Sequence, residues 1–278
     1  MPVELRVLVE GLDHPEGVAV AGDGSLWAGG EAGQLYRIAE ASAEQVATTG
    51  GFLLGLAVDG SGSVFACDVA ARQVARIEPE SGRVEVHSRG TPQRPMVNPN
   101  WPVFDGAGNL YVTDSGRWKG NDGCIFRIDA SGVTTVWSEA STNFPNGACL
   151  DASGKWLLVL ESLPPALVRI RISDDGTAGE REVVAELRGT VPDGVCLDED
   201  GLAYVCCYRP DRILTVDPDG GVDVFADDPE GTILSAPTNG VFCGNDLRTL
   251  VTGNLGRWHL TACEPGPRGL PLRYPVLG

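Results

Sequence analysis

Apolar and polar positions alternate in a pattern that recurs along the chain. Each unit has a short apolar run, a turn with Asp or Gly, and a second apolar run: GVAVAGDGSLWA, GLAVDGSGSVFA, WPVFDGAGNLYV, GACLDASGKWLLV, GVCLDEDGLAYV and GVFCGNDLRTLV. The residues that open these units, 38, 46, 46, 47 and 46 positions apart, are Glu16, Leu54, Asn100, Asn146, Asp193 and Asn239. Strand-like units of this length cannot bury both faces alone and are typical of blades stacked around an axis. The pattern predicts an all-β, six-bladed β-propeller.

The remainder of each unit predicts four-stranded blades. A third apolar run follows, such as QLYRI, QVARI or CIFRI, and the turns DGSG, DGAG, DASG and DEDG are typical of short antiparallel hairpins. We expect the N-terminal ELRVLVEG to be the outer strand of the last blade and so to close the ring. Residues 39–47 fit a short helix or a polar loop equally well. No linker interrupts the repeat, so we expect a single domain over residues 1–278.

The charge and cysteine content narrow the class of protein. With 38 acidic and 21 basic residues the formal net charge is −17, which argues against nucleic acid and anionic membranes as partners. Neither a membrane-spanning stretch nor a secretion signal is recognisable, so we expect a cytoplasmic protein with a small-molecule substrate. Cys149, Cys196 and Cys243 fall in first apolar runs, and no cysteine spacing resembles a zinc or redox motif. We therefore expect reduced, structural cysteines; the oligomeric state is not indicated.

The six opening residues should meet, because the innermost strands of a propeller begin side by side around the channel. A Glu, an Asp and three Asn would form a set of oxygen ligands with a formal charge of −2, as hard cations prefer. No His or Cys stands among them, which disfavours zinc and copper. The alternative is that Asn-Gly and Asp-Gly are only turn dipeptides, but this explains less well why polar residues recur at one phase of the repeat. We predict one divalent metal ion, with Ca²⁺ favoured and Zn²⁺, Mn²⁺ and Mg²⁺ open.

Several motifs resemble the senescence marker protein, gluconolactonase and regucalcin family. They are HPEGVAV, FPNGACLD, VPDGVCLD, APTNGVFCGNDLRTLVT and GLPLRYP, and together they extend along the whole chain. The resemblance implies a six-bladed propeller whose metal is held by Glu16, Asn146 and Asp193, with Asn100 contacting it through water or substrate. It further implies a gluconolactonase-like hydrolase of a lactone or related cyclic ester, in which Asp193 is both metal ligand and general base.

The chain departs from the family in the residues that would contact substrate. Sugar-lactonase members carry an Arg and an acidic residue in a pattern like R-x-N-D-G, whereas residues 98–102 here read NPNWP. An apolar or flatter substrate is therefore more plausible than an aldonolactone. The residues we expect to contact it are Asn98, Asn100, Trp101, Leu54 and Asn239. Packing inside the inner strand is an equally good interpretation of Trp101.

Other functions remain open at this point. The same architecture supports phosphotriester hydrolysis, an isomerase or cyclase reaction, or calcium binding without catalysis. A nucleophilic triad is not indicated, because no G-x-S-x-G motif occurs and the three histidines show no partner pattern. Ser115 and Ser162 follow acidic residues at the ends of second strands, and we expect them to form hydrogen bonds within their blades.

Overall fold

The computed structural model describes residues 3–40 and 42–277 and contains 24 β-strands in six four-stranded antiparallel sheets. Each of the first five blades uses four consecutive strands, and the inner strands contact one another in order around a closed ring. The predicted six-bladed propeller with four-stranded blades is confirmed. Among the described residues, no helix is long and apolar enough to cross a membrane.

The strands of the first three blades are as follows. β1 (Arg6–Glu10) precedes blade 1, which comprises β2 (Val18–Val20), β3 (Leu26–Gly29), β4 (Gln34–Ala39) and β5 (Ser42–Thr48). Blade 2 comprises β6 (Leu53–Val58), β7 (Val64–Asp68), β8 (Gln73–Glu78) and β9 (Arg83–Ser88). Blade 3 comprises β10 (Pro99–Phe104), β11 (Leu110–Asp114), β12 (Cys124–Ile128) and β13 (Thr134–Ser138).

The remaining blades continue the same order. Blade 4 comprises β14 (Pro145–Leu150), β15 (Trp156–Ser162), β16 (Pro165–Ile172) and β17 (Ala178–Glu186). Blade 5 comprises β18 (Val191–Leu197), β19 (Ala203–Arg209), β20 (Arg212–Val216) and β21 (Val222–Asp227). Blade 6 comprises β22 (Pro237–Cys243), β23 (Thr249–Asn254), β24 (His259–Cys263) and β1, so the N-terminal strand closes the ring as expected.

The turn between the first two strands of a blade is set by an Asp and a Gly. In blade 2, Asp59 Oδ1 accepts the backbone N–H groups of Ser61 (2.9 Å) and Ser63 (3.0 Å), and Gly62 has φ +88°. A carboxylate that satisfies the turn's own N–H groups, followed by a residue free to adopt positive φ, produces the hairpin locally. This is why the D-x-x-G tetrapeptides mark the hairpins so reliably in the sequence.

Residues 39–47 form neither a helix nor a loop where they are described. β4 continues to Ala39 and β5 begins at Ser42, with Tyr36 opposite Gln45 and Arg37 opposite Glu44; Ala41 lies outside the described residues. The expectation was wrong because β5 is an outermost strand, largely exposed, and needs few apolar residues.

The C-terminal segment crosses the end of the channel at which the inner strands finish. Leu270 N–H donates to Leu197 O (2.9 Å), and Tyr274 Oη donates to Val20 O (3.0 Å), so the segment links blade 5 to blade 1. Between it and the inner strands lies a mostly apolar cavity of about 90 Å³. The segment therefore crosses this end of the channel and covers part of it.

All eight cysteines are described, unpaired and buried or half-buried, as predicted.

Candidate metal centre and substrate mouth

The structure brings the six predicted positions to one end of the channel, and we call them the ring residues. Five lie in the first residues of inner strands, and Glu16 stands two residues before β2. Their relative exposure runs from 1% for Asn239 to 8% for Leu54 and Asp193. The ring residues are thus buried away from bulk water, although all of them except Leu54 carry an amide or carboxyl group.

Glycines after the ring residues allow neighbouring blades to approach closely. A Cβ atom on Gly17 would lie 2.0 Å from the carbonyl oxygen of Leu54 in the next blade, and one on Gly147 would lie 2.4 Å from that of Asp193. Real Cβ atoms do not approach backbone oxygen so closely, so only glycine fits at these positions. The Gly-led runs seen in the sequence are therefore the reason that ring residues from different blades can meet.

Buried hydroxyl groups fix the ring backbone from the adjacent blade. Thr113 Oγ1 donates to the carbonyl oxygen of Asn146 (2.7 Å), and Thr238 Oγ1 donates to that of Glu16 (2.9 Å). All four residues are almost fully buried. These bonds satisfy carbonyl groups that could not otherwise reach a partner, and they hold the ring residues at a defined height.

The hydroxyl groups of Ser115 and Ser162 also donate to carbonyl groups of the following blade. Ser115 Oγ donates to Pro145 O (2.7 Å), and Ser162 Oγ donates to Pro192 O (2.9 Å). Each proline belongs to the following blade and directly precedes a ring residue. The expectation of blade-internal bonding is met in part by Ser162, whose Oγ also accepts from Asn146 Nδ2 (3.5 Å) within blade 4. It is wrong for the Ser115 hydroxyl, because the second strand of one blade lies beside the first strand of the next.

Oxygen atoms without a hydrogen-bond partner are concentrated in the ring. Of the eleven buried side-chain polar atoms without a partner in the described part of the chain, five belong to the ring. They are Glu16 Oε2, Asn100 Oδ1, Asn146 Oδ1, and Asn239 Oδ1 and Nδ2. Buried polar atoms are costly unless something pairs with them. The donor set is rich in carboxylate and amide oxygen, so these residues fit a hard divalent cation.

Two of the ring residues are carboxyl groups that repel each other. Burial raises the pKa of Asp193 to about 8, opposed by a hydrogen bond with Asn146. Burial, together with the charge of Asp193, raises the pKa of Glu16 well above its ordinary value. A cation placed between them would reverse both effects, because it favours the charged forms that burial disfavours. The electrostatics of the ring therefore match the donor set in favouring a cation.

The other predicted substrate contacts lie at different depths. Asn98 is half-buried in the loop before β10, and its N–H donates to Asp114 Oδ1 (3.0 Å). Trp101 is 8% exposed and packs in an apolar cluster with Tyr111 and Ile125. Leu54 packs in another buried cluster. Packing thus accounts for the burial of Trp101 and Leu54, and their contact with substrate stays a prediction.

Aromatic residues that the sequence interpretation did not assign surround the ring. Trp118, Tyr208 and Trp258 are exposed, and all three lie in or beside the loops at the end of the propeller where the ring residues lie, which we call the ring face. Trp118 packs edge-on against Phe144, which precedes the ring proline Pro145. Phe144 and His14 occupy equivalent positions in the repeated motifs FPNG and HPEG, and this repetition is the sequence signal for them.

A second group of potential ligand atoms lies on the ring face. His14 Nδ1 is 3.2 Å from Asp13 Oδ1 and 3.3 Å from Glu31 Oε2, and the three ligand atoms lie within 4.8 Å of one another. These residues are half-buried or exposed, and Asp13 Oδ2 also accepts from Gln34 Nε2 (2.9 Å). The group could hold a metal ion, but ordinary hydrogen bonding also explains its geometry.

The fold and the ring define a six-bladed β-propeller with a buried set of oxygen donors at one end of its channel. Residues 14–253 match the model of the "SMP-30/Gluconolactonase/LRE-like region", so the chain belongs to that family. The lactonase drp35 of Staphylococcus haemolyticus is 29% identical over 128 residues, which are 42% of this chain and 38% of that protein. The chain thus matches less than half of the length of this relative.

Solved structures of similar proteins have the same fold. A gluconolactonase from Xanthomonas campestris superposes with a TM-score of 0.81 at 16% identity, covering 94% of this chain and 89% of the other. A protein described as the calcium-binding protein regucalcin, from Agrobacterium tumefaciens, has a TM-score of 0.81 at 17% identity, covering 100% and 98%. At these identities the likeness concerns the fold alone.

Proposed function

We propose that the protein is a divalent-metal-dependent hydrolase that acts on a lactone or a related cyclic ester. The observation that carries the proposal is the concentration of unpaired buried oxygen atoms in the ring of a chain that belongs to the lactonase-containing family. The relatives named lactonase and gluconolactonase support the reaction class, and the regucalcin described as calcium-binding supports the metal. Ca²⁺ is the first choice because the donor set is all oxygen, with Zn²⁺, Mn²⁺ and Mg²⁺ as alternatives.

The ring residues would have different roles in the proposed metal centre. Glu16 and Asp193 supply two negative charges, while Asn100 and Asn146 supply neutral oxygen atoms that add ligands without adding repulsion. A bound divalent ion supplies Lewis acidity toward a carbonyl oxygen and lowers the pKa of water. Asn239, with both polar side-chain atoms unpaired, can donate to the substrate and accept from it.

Asp193 is the residue we propose as general base. It is a buried carboxyl group of the proposed metal centre, and burial, which raises its pKa, opposes the lowering that a bound cation would cause. A base of this kind removes a proton from the attacking water, and the same proton can then pass to the alkoxide that leaves when the ring ester opens. Glu16 would then neutralise charge as a metal ligand without taking part in the proton transfer.

The proposal is tested by hydrolysis of a lactone panel with metal-stripped protein. Aldonolactones, alkyl γ- and δ-lactones and aryl esters are assayed before and after Ca²⁺, Zn²⁺, Mn²⁺ or Mg²⁺ is restored. We expect turnover that requires metal and that falls by at least about a hundredfold in Asp193→Asn. Asp200→Asn, which removes an exposed carboxylate from the same blade, is the matched control and should retain activity. Metal binding without turnover of any ester would contradict the proposal.

A further inference from the structure

The exposed large apolar residues fall into two groups by their position in the fold. In the described part of the chain, the aliphatic ones lie on or beside the outermost strands or in the C-terminal segment: Val7, Val86, Val133, Val183, Val222, Val224, Leu272 and Val276. The aromatic ones, Trp118, Tyr208 and Trp258, all lie on the ring face. Single exposed apolar residues need no explanation, but aromatic side chains offer a large contact area of defined shape, and their restriction to the ring face makes them candidates for ligand contact.

The first aromatic pair lies at the junction of blades 3 and 4. Trp118, in the loop between β11 and β12, is 51% exposed and contacts Phe144 edge-on with ring centroids 4.8 Å apart. Phe144 stands two residues before the ring residue Asn146 and has φ +58°, a conformation that L-residues seldom adopt. The chain therefore turns sharply just before the ring, and it does so at an aromatic side chain that packs against the exposed tryptophan.

The second aromatic pair repeats this arrangement at the junction of blades 6 and 1. Trp258, before β24, is 55% exposed, and its ring centroid lies 5.4 Å from that of His14. His14 stands two residues before Glu16 and has φ +41°. Its ring is held by hydrogen-bond contacts to Asp13 and Glu31. In both pairs, the residue two positions before a ring residue packs against a tryptophan from the preceding blade. The shared motif is X-Pro-ring residue-Gly, and X is Phe144 or His14.

The two pairs lie on opposite sides of the ring face. One spans blades 3 and 4 and the other spans blades 6 and 1, so they are three blades apart in a closed ring of six. We call them the aromatic walls: Trp118 with Phe144, and Trp258 with His14. The C-terminal segment crosses the other end of the channel, so the ring face is the side from which we expect a molecule to reach the ring residues.

We infer that the aromatic walls select cyclic esters that carry an apolar substituent beside the reacting ring. This inference rests on the proposed function, since it assumes that the ester carbonyl is placed at the ring residues. The substituent would then project outwards between the tryptophans, where burial of its methylene groups against aromatic faces strengthens binding. A sugar lactone, whose substituents are hydroxyl groups, would bury less apolar surface against such walls.

The test compares two lactones that share the reacting ring and differ in one alkyl chain. γ-Decalactone and γ-butyrolactone are hydrolysed by the metal-loaded protein and by Trp118→Ala, Trp258→Ala and the control Val86→Ala, an exposed valine on an outer strand. Each tryptophan variant should lose about tenfold in kcat/KM for γ-decalactone, mainly through KM, and about twofold or less for γ-butyrolactone. Trp118→Phe and Trp258→Phe should restore most of the loss. An equal fall for both lactones, or no fall for either, overturns the inference.

A binding measurement keeps this inference separate from the proposed reaction. Calorimetry compares cyclopentanone with hexylcyclopentanone, cyclic carbonyl compounds that cannot be hydrolysed. A preference for the hexyl compound that disappears in Trp118→Ala and Trp258→Ala supports the walls, even if no lactone is turned over and the proposed hydrolase is wrong. Lactone turnover without any hexyl preference supports the hydrolase and overturns the walls. Failure of the wild-type protein to bind either ketone also overturns them.

Discussion

Replacing Asp193 by Asn should stabilise the metal-free protein at alkaline pH although it removes a proposed metal ligand. Burial raises the pKa of Asp193 from 3.8 to about 8. A carboxyl group whose pKa is higher in the folded than in the unfolded protein stabilises the fold fully at pH values below its unfolded-state pKa. This contribution is lost as the pH rises through the folded-state pKa. Above pH 8 the loss of unfolding free energy is therefore up to about 6 kcal/mol, at about 1.4 kcal/mol for each unit of the pKa difference between the folded and the unfolded protein.

The assay is thermal unfolding in chelator at pH 5 and pH 9. For a chain of this size, about 1 kcal/mol shifts Tm by roughly 2–4 °C, so Asp193→Asn should melt up to about 12–24 °C above the wild-type protein at pH 9. At pH 5 the advantage should be much smaller, because the wild-type carboxyl group is then protonated. Adding Ca²⁺ should reverse the order, because the proposed centre needs the Asp193 carboxylate to bind the ion tightly.

Asp200→Asn provides the control, because it removes the same formal charge from an exposed position in blade 5. Its Tm should follow that of the wild-type protein at both pH values. The reasoning is refuted if metal-free Asp193→Asn is no more stable than wild type at pH 9, since the ionised ring carboxylate would then impose no cost.

Three further changes probe how the ring is held. Thr113→Val removes a buried hydroxyl group that makes two hydrogen bonds, so it should lower the unfolding free energy measured in urea by about 2–4 kcal/mol. The control Thr135→Val removes an exposed hydroxyl group and should cost less than about 0.5 kcal/mol. Equal losses in the two variants would contradict the prediction. Gly147→Ala places a methyl group 2.4 Å from the Asp193 carbonyl oxygen, so calorimetry should find at least about tenfold weaker metal binding, and unchanged affinity would count against close blade contact. Tyr274→Phe removes one hydrogen bond at the far end of the channel and should cost about 1 kcal/mol without changing metal affinity, which a drop in affinity would disprove.

The blade repeat could be predicted because its determinants are local. An Asp that satisfies its own turn and a Gly with positive φ act within five residues, as at Asp59 and Gly62, and they recur with every blade. The gathering of the ring residues follows from the same repeat, because inner strands of a closed propeller begin side by side. The sequence also marked the position of close contact, where glycine follows the ring residue.

Features that depend on contacts between blades could not be predicted in the same way. The outermost strand β5 has few apolar residues because it is largely exposed, so its sequence resembles a loop. Ser115 and Ser162 bond across a blade boundary that no sequence spacing reports. Trp118 and Trp258 lie in loops outside the periodic units, and only the fold shows that their partners stand at equivalent places on opposite sides of the mouth.

Metal titration of the stripped protein is the most direct test of the proposed centre. We predict one tightly bound divalent ion per wild-type chain, with affinity reduced by at least about a hundredfold in Glu16→Gln and in Asn146→Ala. Glu31→Gln should leave this binding unchanged, because Glu31 belongs to the separate exposed group with Asp13 and His14. If instead Glu31→Gln removes the ion while Glu16→Gln and Asn146→Ala retain it, the metal lies outside the ring and the proposed centre is wrong.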